Sequence, residues 1–372
     1  MSAYSYSERL GVRLVLIAAM LIFGIGLLMI FSTTSAEVLD HALDKSTHQA
    51  FLKQLLYAGL GLLLGVAAWK YGYQKVISYS PVILTVLTVM LVLVLIPGVG
   101  REVNGSKRWL NLFGLSLQPS EFVKYVIPGY VIHSFISKDL SLLEWKEFLT
   151  TLGKICVPMV LIMIEPNNGT CAVIGAAVLA VFLLMQVPAR FWATPLLVLM
   201  LFGVLFASQL PYIKGRVNVY LHPELDLKGR GHQPYQAKIA AGSGGIFGRG
   251  PGNSLQKMSY LPEAQNDYIA AIYGEEFGFF GIISLISLYL ILGLGGFSIA
   301  LASKEAAGLY YGGAILFLIC LQAFLNMAVV SGLLPSTGLN LPLFSQGGSS
   351  LMANMAAIGL LLSIGKTRKA YA

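Results

Sequence analysis

Asp267 stands where a dense polar segment, Gly248 to Tyr268, meets a long apolar run. A carboxylate at such a boundary adds nothing to the stability of a hydrocarbon-facing helix, so its default reading is chemical. Glu275 and Glu276 follow it. Eight residues of helix rise about 12 Å, so Asp267 and Glu275 cannot flank one bond as a close carboxylate pair. Proton transfer here falls to Asp267 alone, or to Asp267 with help from outside that helix.

A second group of residues suits an anion. Asn104-Gly105-Ser106-Lys107-Arg108-Trp109 precedes Gln118-Pro119-Ser120-Glu121-Phe122-Val123-Lys124. A small polar residue with an early acid marks a helix start at Pro119-Ser120-Glu121. Glu121 and Lys124 are three apart and share a helix face. They read either as an ion pair that lets a polar helix sit in a membrane, or as Glu121 orienting Lys124, with Arg108, toward a diphosphate. Glu165-Pro166-Asn167-Asn168-Gly169-Thr170 reads as a tight turn, in which Glu165 is the one feature that asks for more. Tyr212-Ile213-Lys214-Gly215-Arg216 is a basic aromatic cluster. The glycine-rich run Ala241 to Gly252 lacks the Lys-Ser/Thr that follows a nucleotide-binding loop. Its glycines would instead let backbone N–H groups approach a lipid-linked diphosphate. Ser349 and Ser350 could cap a final helix whose N-terminus would attract phosphate.

Composition says what must position these groups. The chain is 56% hydrophobic and 11% charged, against about 25% charged in a soluble domain. Several apolar runs exceed the roughly 18 residues that cross a bilayer. The chain is therefore expected to be an all-α polytopic membrane protein. Its ten spans would lie near 10–32, 51–70, 78–97, 120–137, 151–166, 169–187, 192–210, 269–300, 307–333 and 346–365, with a large loop, 211–268, between the seventh and eighth. The eighth is over-long and should include an interfacial turn. Cys156, Cys171 and Cys320 lie in or beside apolar runs without metal-ligand spacing and read as small buried hydrophobes. The polar start, Ser2 to Arg13, and the long run after it read as a retained first span rather than a cleaved signal.

Lys and Arg in the short loops orient the chain. With both termini cytoplasmic, the inner side holds Arg9, Arg13, Lys70, Lys75, Lys138, Lys146, Lys154, Arg190, Lys304, Lys366, Arg368 and Lys369. The outer short loops hold Lys45, Lys53, Arg101, Lys107 and Arg108. The long loop adds seven more: Lys214, Arg216, Lys228, Arg230, Lys238, Arg249 and Lys257. The net charge of +8 suits membrane lipid head groups or phosphate substrates. Nucleic acid is a poor partner, because the basic residues are split across two membrane faces. Nearly all the informative polar chemistry, Asn104 to Ser120, Glu165 to Thr170, the long loop and Leu334 to Ser350, falls outside on this topology, which favours chemistry on a membrane-anchored substrate at the outer leaflet.

The motifs together resemble the SEDS family of bacterial cell-wall proteins over nearly the whole chain. They are Asn104-Gly105-Ser-x-Arg108-Trp109 with Gln118-Pro119-x-Glu121-x-x-Lys124; Pro166-x-x-Gly169-Thr170; Gly242 to Gly281; and Pro335 to Ser350. Gly252-Asn253-Ser254-x-Gln256-Lys257, followed by Tyr260-Leu261-Pro262-Glu263-Ala264, looks more like the division members than the elongation members. The resemblance implies a single ten-helix transmembrane domain, 1–372, in the bacterial cytoplasmic membrane at the division septum. It implies polymerisation of lipid II into glycan strands, beside a class B penicillin-binding protein and other division-complex membrane proteins. The family's essential loop aspartate falls on Asp267. Arg108, Glu121, Lys124, Arg216 and Lys257 match positions near the substrate channel, and Asn253, Ser254, Gln256, Glu263, Ser349 and Ser350 join them as substrate-binding candidates. Gln265-Asn266 stands where the family has His-Thr, Glu165-Pro166-Asn167 where it has Gln-Pro-Asp, and Gln346 where it has Tyr.

The reaction expected from this is an inverting glycosyl transfer, with Asp267 as general base and a polyprenyl diphosphate leaving. A divalent cation could share the diphosphate charge, though no ligand cluster in the sequence demands a metal. The competing functions are a lipid II flippase, an elongation-type polymerase and a non-catalytic scaffold. A flippase calls for a polar track through the bilayer, and the sequence offers mid-membrane candidates only between Glu121 and His133.

Overall fold

The computed structural model describes residues 3–41, 48–103, 106–112, 114–197, 220–222, 231–258, 261 and 264–366. Arg216, Glu263, the Asn104-Gly105 pair, the Tyr212–Arg216 cluster and most of the expected span 192–210 lie outside them. Three long helices open the chain: α1 (Ala3–His41), α2 (Gln49–Tyr71) and α3 (Tyr73–Leu95). α4 (Pro119–Phe135), α5 (Trp145–Ile164) and α6 (Asn168–Leu184) follow, and residues 189–197 are helical where the seventh span is expected to begin. A short helix, α7 (His232–Ser243), precedes α8 (Ile269–Leu301), α9 (Ala306–Val330) and α10 (Gly348–Lys366). Seven of these helices are long and apolar enough to cross a membrane. Only helices close all their backbone hydrogen bonds within one segment in hydrocarbon, which is why the apolar runs take this form.

Several element edges move, among them those of α1, which runs beyond 10–32 at both ends. α3 begins at Tyr73, five residues before the expected 78, because Gly72, at φ +90°, turns the chain between α2 and α3 in a single residue. α5 begins at Trp145 rather than 151. The all-α expectation also omits a small antiparallel sheet between α3 and α4, of order β1 (Gly100–Val103), β2 (Ser106–Leu112), β3 (Leu115–Leu117). Val103 pairs with Ser106 and Leu112 with Leu115. Asn-Gly is among the strongest short-range hairpin signals, and Asn104-Gly105 is the sequence between the first two strands. Cys156 is exposed on the outside of the bundle rather than buried. It sits on a peripheral helix, where a thiol is apolar enough to face lipid.

Small residues set the closest helix contacts, as in membranes generally. α1 and α8 cross at Gly11 and Gly295, where a Cβ on Gly11 would stand 2.7 Å from the Gly295 carbonyl. α2 packs on α10 through Gly61 and Gly65 against Met352, Met355 and Gly359.

The interfacial turn expected in the eighth span is a kink at Gly278, with φ 65° and ψ −159°. The kink frees helix carbonyls, and such groups need new partners. The Arg249 and Gly250 N–H groups donate to the carbonyls of Glu275 and Glu276, each at 3.0 Å, while Phe279 N–H donates to Gly245 at 2.9 Å. The glycine-rich run therefore lies against α8, and the two N–H groups at Arg249 and Gly250 are spent on it rather than offered to a diphosphate. A Cβ on Gly278 would drive into the Gly248 backbone, which cannot yield as a side chain can. Gly278→Ala should destabilise the fold by about 2–4 kcal/mol, read as a lower melting temperature of the detergent-purified chain. An unchanged melting temperature would show that the kink is not required.

Candidate functional site

Asp267 ends a run of turns, 264–268, and sits half-buried just before α8. Its main-chain carbonyl accepts a hydrogen bond from Asn326 Nδ2 at 2.8 Å. The same amide nitrogen donates to the Leu339 carbonyl at 2.8 Å. One side chain of α9 thus joins the Asp267 turn to the loop before α10. Gly338 of that loop faces the aspartate: a Cβ placed there would lie 3.8 Å from Asp267 Oδ2. Gln346 N–H donates to the Gln265 carbonyl at 3.0 Å and closes the loop onto the same turn. Burial and the Asp267 charge push the neighbouring Tyr268 phenol up, so it stays a neutral hydroxyl.

One turn before Asn326 on α9, Gln322 carries the connection to α4. Its Nε2 donates to the Asn340 carbonyl at 2.8 Å, and its Oε1 accepts from Lys124 Nζ at 2.9 Å. Lys124 Nζ also meets Glu121 Oε2 at 2.7 Å. The i, i+3 pairing read from the sequence therefore forms, with Lys124 only 1% exposed. A buried ammonium is tolerable here because a carboxylate and an amide oxygen both accept from it. Gln322 and Asn326 were not among the sequence candidates. The signal was present, since two amides four residues apart in a 25-residue apolar helix are costly in a membrane and mark function or polar packing.

Arg108, on β2, reaches the turn between α5 and α6. Its Nε donates to the Glu165 carbonyl at 2.9 Å and its Nη2 to the Pro166 carbonyl at 2.7 Å. That turn leads to Gly169, where a Cβ would stand 2.5 Å from the Thr337 carbonyl. Arg108, the α5–α6 turn, the loop 334–347 and Asp267 thus meet at one end of the bundle.

The remaining described candidates make contacts within the protein. Glu275 is 1% exposed and gathers Ser254 Oγ at 2.5 Å, Leu255 N at 3.1 Å, Gln256 N at 3.2 Å and Arg249 Nε at 3.4 Å. Lys257 Nζ lies 2.7 Å from Glu276 Oε1 and 2.9 Å from Ser32 Oγ, with its side chain 4% exposed. Its ammonium is enclosed by α1 and α8. Ser254 is likewise committed to Glu275. Gln256 keeps a buried Oε1 without a hydrogen-bond partner. Asn253 is exposed and donates to the Arg249 carbonyl at 3.2 Å. Ser349 accepts from Gln118 N at 2.8 Å and donates to the Ser116 carbonyl at 3.2 Å, while Ser350 accepts from Asn354. Both serines lie inside α10, after its first residue Gly348, so neither caps it. Among the described residues no three His, Cys, Asp or Glu side chains gather in a way that fits a metal ion.

The chain is similar to known proteins. A family profile described as cell cycle protein, of the FtsW, RodA and SpoVE type, matches residues 12–370. The chain is 36% identical over 355 residues to "Probable peptidoglycan glycosyltransferase FtsW" of Trichlorobacter lovleyi, covering 95% of this chain and 92% of that one. It is 36% identical over 355 residues to stage V sporulation protein E of Bacillus subtilis, covering 95% and 96%. A solved structure described as "Structural coordination of polymerization and crosslinking by a peptidoglycan synthase complex" aligns at TM-score 0.76 and 24% identity, covering 96% of this chain and 98% of that one. The rod shape determining protein RodA of Thermus thermophilus aligns at TM-score 0.68 and 24% identity, covering 95% and 96%. At these identities the two structures speak to the fold alone.

Proposed function

The chain belongs to the FtsW, RodA and SpoVE family of cell cycle proteins, and on that premise we propose that it is a peptidoglycan glycosyltransferase polymerising lipid II at the outer leaflet of the bacterial cytoplasmic membrane. Several relatives carry that activity in their names. The observation that carries the reading is the setting of Asp267. Its main chain is pinned by Asn326 while its carboxylate lies over a residue without a side chain, Gly338. A base needs a fixed position relative to the group it deprotonates.

In the proposed reaction the acceptor's sugar hydroxyl gives its proton to the Asp267 carboxylate as its oxygen bonds to the anomeric carbon of the growing chain. The bond from that carbon to the polyprenyl diphosphate breaks, and its electron pair leaves with the diphosphate. A single displacement inverts the anomeric centre. Arg108 is the cation assigned to the developing diphosphate charge. Lys124 and Glu121 act one step back, holding Gln322 and through it Asn340 of the loop beside Asp267. Residues 1–372 act as one transmembrane unit with cytoplasmic termini, and 211–268 forms its outer loop. The partners in this reading are the nascent strand, a class B penicillin-binding protein and other membrane proteins of the septal complex.

The purified chain, alone or with a class B penicillin-binding protein, should turn lipid II into glycan strands. Absence of polymer under both conditions overturns the reading. Asn326→Leu should lower kcat roughly 10–100-fold with KM changed only a few-fold, because a displaced base costs rate more than binding. A variant with wild-type kcat would remove Asn326 from the positioning of Asp267.

A further inference from the structure

The glycine-rich run carries two large apolar side chains at its tip. Ile246 and Phe247, between Gly245 and Gly248, are 61% and 79% exposed. Adjacent apolar side chains presented outward in this way mark an interaction surface. The turn is not free to fold them inward. Phe279 N–H donates to the Gly245 carbonyl at 2.9 Å, and Phe280 N–H to the Ile246 carbonyl at 3.3 Å. Gly244 and Gly248 lie so close to α8 that a Cβ on either would stand 2.1 Å from the carbonyl of Gly274 or Glu276. The tip is therefore a rigid outgrowth of α8 at its kink, with the Phe247 and Phe280 ring centroids 5.5 Å apart.

The length of α8 fixes the level of this outgrowth. Beyond Gly278 the helix runs from Phe279 to Leu301, about 34 Å at 1.5 Å per residue, close to the roughly 30 Å of a bilayer's hydrocarbon core. Ile283, Leu290, Leu294 and Phe297 are exposed along it at helical spacing, and the polar Ser303, Lys304 and Glu305 follow its far end. A helix that fills the hydrocarbon once, with polar residues at its far end, has its near end at the opposite boundary. Phe279 and Phe280 lie there, both exposed, and Phe247 lies beside Phe280. We propose that Ile246 and Phe247 are a membrane anchor: they enter the leaflet on the Asp267 side, where head groups meet acyl chains, and hold the α8 kink at that depth. Arg249, two residues on, keeps its side chain partly exposed while its Nε meets Glu275, which suits a position at the head groups. Asp267 precedes the first part of the same helix. The anchor thus sets the level of the Asp267 turn against a substrate that is itself held in the membrane. That consequence rests on the glycosyltransferase reading; the lipid contact does not.

The full-length chain alone, in liposomes of phosphatidylethanolamine and phosphatidylglycerol, tests the contact. Phe247→Trp adds one indole to the four tryptophans of the chain. The added emission, variant minus wild type, should be quenched by lipids brominated high on the acyl chain, less by lipids brominated near its end, and hardly by aqueous iodide. Quenching by iodide alone puts the tip in water and overturns the proposal. Protection from both quenchers overturns it too, because another part of the chain or a second copy then covers the tip. Ile246→Ser with Phe247→Ser tests the consequence. Both side chains are exposed, so the melting temperature in detergent should stay close to wild type. Strand synthesis from lipid II should fall roughly 3–10-fold in liposomes and change less in detergent, whose micelle adapts its surface to the protein. An unchanged rate in liposomes overturns the depth-setting role. If no form makes strands in either setting, the glycosyltransferase reading fails, and the quenching still decides whether lipid covers the tip.

Discussion

Asp267→Asn should reduce strand synthesis from lipid II by about 10²–10⁴-fold, the usual share of a general base. That loss corresponds to roughly 3–5 kcal/mol of barrier. The substitution is chosen because little else should change. Asn326 holds residue 267 through its main-chain carbonyl, which asparagine retains, and the amide fits over Gly338 as the carboxylate does. The melting temperature and the affinity for lipid II should therefore stay close to wild type while kcat falls. Asp267→Glu should recover only part of the rate. It restores a base but moves the carboxylate by one methylene within a turn whose main chain is fixed. Polymerisation by Asp267→Asn at the wild-type rate would remove Asp267 from the chemistry and leave the scaffold reading in its place.

Lys257→Ala should destabilise the protein by about 3–5 kcal/mol, the usual cost of stripping one partner from a buried ion pair. Glu276 would be left 2% exposed with the Ser32 hydroxyl 3.4 Å away. The informative comparison is the double variant Lys257→Met with Glu276→Leu. Replacing both charges by apolar groups of similar volume is commonly neutral or stabilising. If Lys257 serves only to fasten the loop to α8, the double variant should recover both melting temperature and strand synthesis. If Lys257 instead contacts the diphosphate, stability should return and activity should not. The two roles assigned to this lysine, from its sequence position and from its surroundings, thus separate in one pair of measurements.

Lys257 also shows where reading along the chain stops. It lies in the polar segment that ends in Asp267, and nothing local distinguishes a cation waiting for phosphate from one already neutralised. Its partner is 19 residues away, beyond a turn-rich stretch and on the first part of a kinked helix. The Gly278 kink brings the glycine-rich run against α8, and Arg249, Ser254 and Lys257 follow it onto Glu275 and Glu276. Glu121 and Lys124 were legible because three residues along one helix is a fixed geometry. Gln322 and Asn326 escaped for the opposite reason, since averaged hydropathy over a helix of 25 residues absorbs two amides without trace.

The class of the chain and most of its described spans could be stated from the sequence, and Asp267 could be singled out there as a candidate. A bilayer imposes length and apolarity on whatever crosses it, and an acid at its edge has no stabilising purpose to hide behind. These are local or compositional properties, and residue order carries them directly. Tertiary structure alone decided which charges are spent inside the protein and which face the site. That division depends on pairings between distant elements: Lys257 with Glu276, Lys124 with Gln322, Arg108 with the turn at Glu165. In a low-dielectric interior such pairings determine whether a charged side chain holds the fold together or remains for a substrate.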